Sequence, residues 1–168
     1  MDSKLTIGKD APNKVNVLIE IPQGGQIKYE LSEDGHLFVD RFLYTSMNYP
    51  FNYGFICGTK AEDGDPLDVI VLSSHPVQPG SILPSQPIGL LEMEDEEGID
   101  TKIIAVPTAK IDPIFGNYKD VSELPDFFKS RIKHFFEHYK DLEPGKWVKL
   151  KNWKSANDAR EMIKKSAK

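Results

Sequence analysis

The sequence predicts a mainly β domain with two helices near its C-terminus, arranged as a barrel or a sandwich. Twelve Gly and twelve Pro residues, scattered from Gly8 to Gly145, cut roughly the first 120 residues into short segments. Several of these segments alternate between apolar and polar residues, as strands do. Helical periodicity appears only later in the chain. A length of 168 residues suits one core, so we expect a single domain over residues 1–168.

The first two strand patterns predict a β-hairpin. Apolar residues occupy every second position of segment 15–21, which Pro22 ends, and again of segment 27–31. The intervening residues 23–26 have the composition of a tight turn. If the apolar positions of both strands face the core, three charged side chains share the opposite face. These are Glu20, Lys28 and Glu30.

The remaining elements follow from the same patterns. Further strands are predicted at 37–43, 69–72, 88–93, 102–106 and 147–150. Aromatic and aliphatic residues then recur at spacings of three and four between 128 and 139, which predicts an amphipathic helix starting behind Pro125 and ending near Lys140. A second helix is expected to start at Ser155, where Ser155 and Asp158 can form a capping box.

Three features indicate a cytoplasmic protein without a membrane partner. The longest apolar runs are four residues, at 69–72 and 103–106, whereas a membrane span needs about 20. The first ten residues lack the apolar stretch of a signal peptide. The lone cysteine, Cys57, cannot form an intrachain disulfide, which suits a reducing compartment.

The charge distribution is uneven. The net charge is −5, which does not favour nucleic-acid binding, because phosphate backbones attract Lys and Arg. Residues 61–101 contain ten carboxylates and no Lys or Arg, leaving 21 basic and 16 acidic residues elsewhere. Such a window is either a solvated acidic face or a site that gathers hard divalent cations through carboxylate oxygens.

The segment 63–69, DGDPLDV, carries three carboxylates within six residues. An EF-hand loop would need Gly at its sixth and Glu at its twelfth position, where this sequence has Asp68 and Ser74. The segment is therefore either an acidic surface turn or a turn whose carboxylates converge and need cations or protons to offset their repulsion. Signatures of serine hydrolases, phosphate-binding loops, dinucleotide-binding loops and zinc sites are missing from the sequence.

The two histidines of the first predicted helix, His134 and His138, are four residues apart and share one helix face. As a metal pair they lack nearby partners in the sequence. We expect them to lie on the helix surface or in a subunit contact.

The segment DGDPLDV resembles the signature of the soluble family I inorganic pyrophosphatases. Further segments that resemble this family follow in the family's order over about residues 13–154. They are IEIP at 19–22, KYE at 28–30, DR at 40–41, MNYPFNYGFI at 47–56, Asp95, Asp100 with Lys102, and FFEHYK at 135–140. The sequence is identified as a member of this family, of bacterial-type length.

The resemblance implies a five-stranded OB-like β-barrel with two helices packed outside it. It also implies hydrolysis of pyrophosphate to two orthophosphates with several Mg²⁺ ions, by a water or hydroxide that bridges two metals. Mn²⁺ or Zn²⁺ could substitute for Mg²⁺, whereas Ca²⁺ is expected to inhibit. Bacterial relatives are commonly hexamers of two trimers, so the resemblance implies a homohexamer here.

The same resemblance implies roles for individual residues. The metal ligands would be Asp63, Asp68, Asp95, Asp100, Glu20 and Glu30. Asp65 would orient the attacking water and take its proton. The phosphate-binding set would be Lys28, Arg41, Tyr53, Lys102, Tyr139 and Lys140, with Tyr49 as a nearby wall or hydrogen-bond donor.

Arg41 provides an additional argument for a bound anion. It is in phase with Leu37, Val39 and Leu43, so it would point inward from an apolar strand, which is costly without a partner such as phosphate. For the three tyrosines, core packing is the competing interpretation.

Two functions of other classes remain open at this point. An OB-like barrel could bind oligonucleotides, although such a groove should be basic and rich in exposed aromatics. A divalent-metal-binding protein without turnover is the other alternative, although it would not need the Lys, Arg and Tyr set. Release of phosphate from pyrophosphate distinguishes all three.

Overall fold

Nine strands and two α-helices follow one another in the computed structural model, which describes residues 5–168. The first four residues of the N-terminal segment, where the sequence shows no signal-peptide pattern, lie outside the described residues. The elements are β1 (Val15–Ile21), β2 (Ile27–Leu31), β3 (Leu37–Phe42), β4 (Asn52–Ile56), β5 (Asp68–Val71), β6 (Ile82–Asp95), β7 (Gly98–Ile99), β8 (Lys102–Pro107), α1 (Asp126–His138), β9 (Val148–Ser155) and α2 (Ala156–Ser166).

Five of these strands close into a ring, which confirms the predicted five-stranded barrel. Strand β1 pairs with β4, β4 with β5, β5 with β8, β8 with β6, and β6 again with β1. Only the β5–β8 pair is parallel among these five pairings. Strands β7 and β9 extend the sheet from β6. Because the ring is closed, each of its five strands has a ring partner on both sides.

Both faces of the central strands are buried. Ile70 and Ile104 belong to a core cluster that also contains residues of α1, whereas Val69 and Ile103 belong to a second cluster that includes Ala159 of α2. The two helices thus cover opposite faces of the strands. This burial explains why segments 69–72 and 103–106 are continuous apolar runs instead of alternating patterns.

The predicted hairpin between β1 and β2 is wrong. Strand β2 pairs with β3 in a separate two-stranded sheet, while β1 pairs with β4 and β6 in the barrel. The turn between β1 and β2 is bonded instead to Tyr49, whose carbonyl accepts from the N–H of Gly24 and whose N–H donates to the carbonyl of Gly25. These bonds turn the chain away from β1, so β2 and β3 form the actual hairpin, which we call the outer hairpin (27–42).

The strand bounds differ most where Gly and Pro interrupt the sequence pattern. Strand β4 was not predicted, and its Gly54 lies so close to β1 that an added Cβ would sit 1.8 Å from the carbonyl oxygen of Leu18. Strand β6 is 14 residues long and passes through Pro84 and Pro87, with a register shift next to Pro87. A bulge of this kind lets the strand continue where proline cannot donate a hydrogen bond.

Both helices occur where the sequence predicts them. Helix α2 starts after Ser155, and the predicted capping box with Asp158 is present. Helix α1 buries Ile132, Phe135 and Phe136 against the barrel. No helix among residues 5–168 is long and apolar enough to span a membrane.

Candidate active site

A buried lysine lies at the centre of the candidate site. Lys102, the first residue of β8, is 3% exposed, and its ammonium donates to Asp68 Oδ2 at 2.6 Å and to Asp100 Oδ1 at 2.7 Å. The Tyr53 hydroxyl lies 3.3 Å from the same nitrogen. Since β5 and β8 are parallel neighbours, their first residues, Asp68 and Lys102, meet at one end of the barrel. We call these four residues the Lys102 cluster.

Ionisation within the cluster reflects burial and charge together. Burial by itself would lower the pKa of Lys102, but the charges of Asp68 and Asp100 hold it well above its usual value. Burial raises the pKa of Asp100, against the opposing effect of Lys102. The site therefore keeps a charged ammonium beside two carboxylates in a desolvated position, which is stable only while these charges face each other.

A second buried ion pair lies beside the first. The Lys140 ammonium, just beyond α1, donates to Asp95 Oδ2 at 2.8 Å and lies 3.5 Å from Glu96 Oε1. Burial opposes ionisation of Asp95, yet the hydrogen bonds from Lys140 and from the N–H of Glu97 keep its pKa below the usual value. The charge of Asp95 also raises the pKa of Asp100, so the two ion pairs are neighbours.

Three tyrosines line the same region and also pack in the core. The ring centroids of Tyr49 and Tyr53 are 5.0 Å apart, and Phe135 lies between Tyr49 and Tyr139 at 4.4 and 5.2 Å. Burial raises the pKa of each tyrosine, so all three keep their protons. The core-packing and functional interpretations are thus compatible, because a buried ring can present its hydroxyl to the site.

Lys28 and Glu30 pair along β2, but the predicted hairpin face that Glu20 would share with them does not form, because β1 and β2 lie in different sheets. Lys28 Nζ lies 3.5 Å from Glu30 and 3.9 Å from Asp40. Glu20 sits at a register shift of β1, where a bulge re-aims the side chain. Burial raises the pKa of Glu20 to about 7, against the favourable charge of Lys28, and the charges of Asp68 and Glu30 add to the shift.

Because of this raised pKa, the contribution of Glu20 to folding stability should depend on pH. Because its folded pKa is above the usual 4.5, its contribution to stability is greatest below pH 4.5 and is lost as the pH rises to about 7. Glu20→Gln should therefore stabilise the metal-free protein at pH 8 by up to about 3 kcal/mol. Urea unfolding of both proteins between pH 4.5 and 8 measures this difference. Exposed Glu62→Gln is the control, and parallel curves for wild type and Glu20→Gln would contradict the prediction.

Arg41 does not point into an apolar interior, so that part of the sequence argument is wrong. All six residues of β3 are exposed, and Arg41 itself is 43% exposed in its side chain. The outer hairpin has a register shift at Asp40, which interrupts the alternation that the prediction assumed. The guanidinium instead lies between two carboxylates, Asp40 at 3.7 Å and Glu143 at 3.6 Å.

Asp63 and Asp65 lie in an exposed turn before β5. The Asp63 carboxylate accepts the N–H of Asp65 at 2.9 Å, and the Asp65 carbonyl accepts the N–H of Ala61 at 2.7 Å. Among residues 5–168, no ion pair joins either carboxylate to the Lys102 cluster. The structure therefore brings Asp68 and Asp100 together at Lys102, whereas Asp95 is paired with Lys140 and Asp63 and Asp65 lie in an exposed turn.

The carboxylate oxygens of the site suit a hard divalent cation, but their side chains are not arranged around a common metal position. Within the described part of the chain, no group of three or more His, Cys, Asp or Glu side chains is arranged to hold a metal. At the Lys102 cluster, the ammonium occupies the position where Asp68 and Asp100 meet. The carboxylates are nevertheless the oxygen ligands that Mg²⁺ prefers, and the Asp68 side chain is 31% exposed and accessible.

Lysines from outside the acidic window neutralise much of it. Lys154 and Lys151 of β9 lie 2.9 Å from Glu92 and Glu94 of the neighbouring strand β6. These two carboxylates thus belong to a solvated, ion-paired face. The acidic window 61–101 therefore contains both a solvated, ion-paired face and the carboxylates of the candidate cation site.

The two histidines of α1 lie together on the helix surface. Their ring centroids are 5.1 Å apart, and His138 Nδ1 lies 2.8 Å from the Asp141 carboxylate. Their position agrees with the surface role expected from the sequence.

Three carboxylates near the site were assigned no role from the sequence. Asp40 and Glu143 flank Arg41, and Glu96 supports Lys140. Each follows or precedes a predicted phosphate or metal ligand by one to three residues in the sequence. The available signal was that each carboxylate lies close in the sequence to a predicted site residue. Closeness in the sequence does not show which carboxylate contacts Arg41 or Lys140 in the folded chain.

Comparison with known proteins places the whole chain in one family. The family model described as inorganic pyrophosphatase matches residues 17–168. The inorganic pyrophosphatase of Aquifex pyrophilus is 62% identical over 159 residues, which cover 94% of this chain and 90% of that relative. That of Aeropyrum pernix is 58% identical over 164 residues, covering 97% and 93%.

Solved structures agree with this result. The crystal structure of inorganic pyrophosphatase from Thermus thermophilus has a TM-score of 0.91 and 43% identity, covering 96% of this chain and 93% of that one. The inorganic pyrophosphatase from Helicobacter pylori has a TM-score of 0.92 and 48% identity, covering 97% and 96%. The mainly β, OB-like fold expected from the sequence is thereby confirmed.

Proposed function

The chain belongs to the inorganic pyrophosphatase family, whose members hydrolyse pyrophosphate to two orthophosphates, and we propose that this reaction takes place at the Lys102 cluster with Mg²⁺. The observation that carries this assignment is the buried ammonium of Lys102 held between Asp68 and Asp100. It combines fixed positive charge for a polyanionic substrate with carboxylates for its metals.

The metal ligands in this proposal are Asp63, Asp68, Asp95 and Asp100, with Glu20 and Glu30 across the site. When bound, Mg²⁺ would lower the pKa of the water molecule that it coordinates and would place positive charge next to the phosphates. Burial supports the assignment of Glu20, because its raised pKa reflects a carboxylate in need of a cation.

The other side chains bind substrate and move a proton. Lys102 at the start of β8 and Lys140 just beyond α1 carry the positive charges that offset those of the phosphates. Tyr53 and Tyr139 keep their protons and donate hydrogen bonds to the phosphates. Lys28 and Arg41 reach the phosphates from the outer hairpin. Asp65 accepts the proton of the attacking water, for which its exposed position gives it access to solvent.

Phosphate release from pyrophosphate tests the function directly. The full chain should release two phosphates per pyrophosphate with Mg²⁺ and none in excess chelator. Mg²⁺ binding without release would favour a metal-binding protein without turnover. Oligonucleotide binding without release would favour the OB-like binder.

Calcium should bind this site and inhibit it. Ca²⁺ accepts more ligands at longer distances than octahedral Mg²⁺, so it holds water and phosphate less favourably for reaction. With Ca²⁺ as the sole metal, turnover should be at least about tenfold lower than with Mg²⁺. Added Ca²⁺ should also reduce the rate at fixed Mg²⁺. Equal turnover with the two metals would refute the prediction.

We further propose one pyrophosphatase domain over residues 1–168, located in the cytoplasm and assembled as a homohexamer of two trimers. The adjacent surface histidines His134 and His138 support a contact between copies at α1. Light scattering at neutral pH should give a mass about six times the 19.0 kDa of one chain. A monomer at micromolar concentration would contradict the hexamer.

A further inference from the structure

Glu143 is a nearly buried loop carboxylate to which no role has been assigned above. Its side chain is 12% exposed, although it lies in the loop between α1 and β9. The carboxylate oxygen Oε1 lies 3.6 Å from Nη1 of Arg41 and 3.2 Å from Nζ of Lys146. A carboxylate with so little exposure is costly unless cations face it, so its position is tied to these two partners.

Glu143 also links two parts of the site. The ion pairs of Lys28 with Glu30 and of Lys28 and Arg41 with Asp40 all stay within the outer hairpin. Among residues 5–168, the Arg41–Glu143 pair is the ion pair that joins this hairpin to another part of the chain.

On the loop side, the Glu143 N–H donates to the carbonyl of Lys140 at 2.9 Å. The position of Glu143 is therefore fixed relative to one substrate-binding lysine. Glu143 therefore connects Arg41 of the outer hairpin, through its side chain, with Lys140, through its backbone N–H.

Two of the three guanidinium nitrogens face carboxylates at ion-pair distance. Nε faces Asp40 and Nη1 faces Glu143, which leaves Nη2 without an assigned ion pair. Arginine presents five N–H donors in a rigid fork, so fixing one side aims the other. We propose that Glu143 is a positioning residue that holds Arg41 ready for a phosphate of pyrophosphate. This inference rests on the proposed function, in which Arg41 binds phosphate.

The test is the isosteric variant Glu143→Gln. Loss of the charge should free the exposed Arg41 side chain, which must then be ordered at the moment of binding. KM for pyrophosphate should rise about two- to fivefold, as expected for a partly exposed ion pair, while kcat changes less than about twofold. Glu161→Gln, which removes the 2.9 Å pair with Lys164 on α2, is the matched control and should change neither constant. An unchanged or lowered KM for Glu143→Gln would overturn the proposal.

A double-mutant cycle separates positioning from general loosening of the loop. Arg41→Lys keeps the charge but loses the fork, so it should cost less in the Glu143→Gln background than in wild type. Additive effects would assign Glu143 a merely structural role and contradict the proposal. Failure of the proposed function is distinguishable, because the wild-type chain would then release no phosphate from pyrophosphate.

Discussion

Lys102→Met is expected to remove nearly all activity and much of the stability of the metal-free protein. The substitution leaves Asp68 and Asp100 facing each other without the ammonium that lies 2.6 and 2.7 Å from them. Removing one partner of a buried ion pair costs about 3–5 kcal/mol, because the remaining charge is left uncompensated. The rate should fall by at least about 10²-fold, since a preorganised cation no longer faces the developing phosphate charge.

Magnesium should restore part of the stability of Lys102→Met but little of its rate. A divalent cation can offset the charges of Asp68 and Asp100, yet it cannot replace the ammonium that we propose binds substrate. Urea unfolding with and without Mg²⁺, together with phosphate release, measures both effects. Lys164→Met removes an exposed pair with Glu161 and should change stability by less than about 0.5 kcal/mol. A metal-free Lys102→Met protein as stable as wild type would contradict the account.

Asp65→Asn and Asp68→Asn should both lose activity, but with opposite responses to magnesium. Asp68→Asn removes a proposed negative ligand, so metal affinity and rate should fall together, and excess Mg²⁺ should recover part of the rate. Asp65→Asn keeps an oxygen but loses the proposed base, so its rate should fall by roughly 10²- to 10⁴-fold. The lower half of that range is expected, because metals already acidify the water.

The structure adds a second distinction between these two variants. Asp68 is bonded to Lys102 in a partly buried position, whereas Asp65 is exposed in the preceding turn. Asp68→Asn should therefore also destabilise the metal-free protein, and Asp65→Asn should not. Mg²⁺ titration by calorimetry and by phosphate release compares the two. If Asp65→Asn recovers with Mg²⁺ and Asp68→Asn does not, the two roles are reversed.

The elements with strong local signals were predictable from the sequence. The capping box of Ser155 and Asp158 and the spacing of apolar residues in α1 depend only on neighbouring residues. The apolar runs of β5 and β8 likewise indicate buried strands. These features needed no knowledge of which element lies beside which.

Strand pairing was not predictable, because it depends on contacts between distant residues. The turn after β1 looks like a hairpin turn, yet its N–H and carbonyl groups bond to Tyr49, some 25 residues away. Arg41 was assigned an inward direction from alternation alone, which the shift at Asp40 interrupts. Gly54 marks a close approach to β1 that no local pattern reveals.

The residue types in the sequence indicated which residues form the candidate site better than they indicated how those residues are arranged. The family resemblance named Asp68, Asp100, Lys102 and Tyr53, which the structure brings together at one end of the barrel. It could not show that Lys102 bonds to both carboxylates, because this depends on the parallel pairing of β5 and β8. We propose that further carboxylates, Asp63 among them, join these residues around a bound metal.

The most direct test of that claim is to locate the metal. Crystals grown with Mn²⁺, under conditions in which the protein hydrolyses pyrophosphate with this metal, allow manganese to be identified by its anomalous scattering. We expect manganese bound by Asp63, Asp68 and Asp100, next to Lys102. Manganese found only away from these carboxylates, or no bound manganese in an active protein, would contradict it.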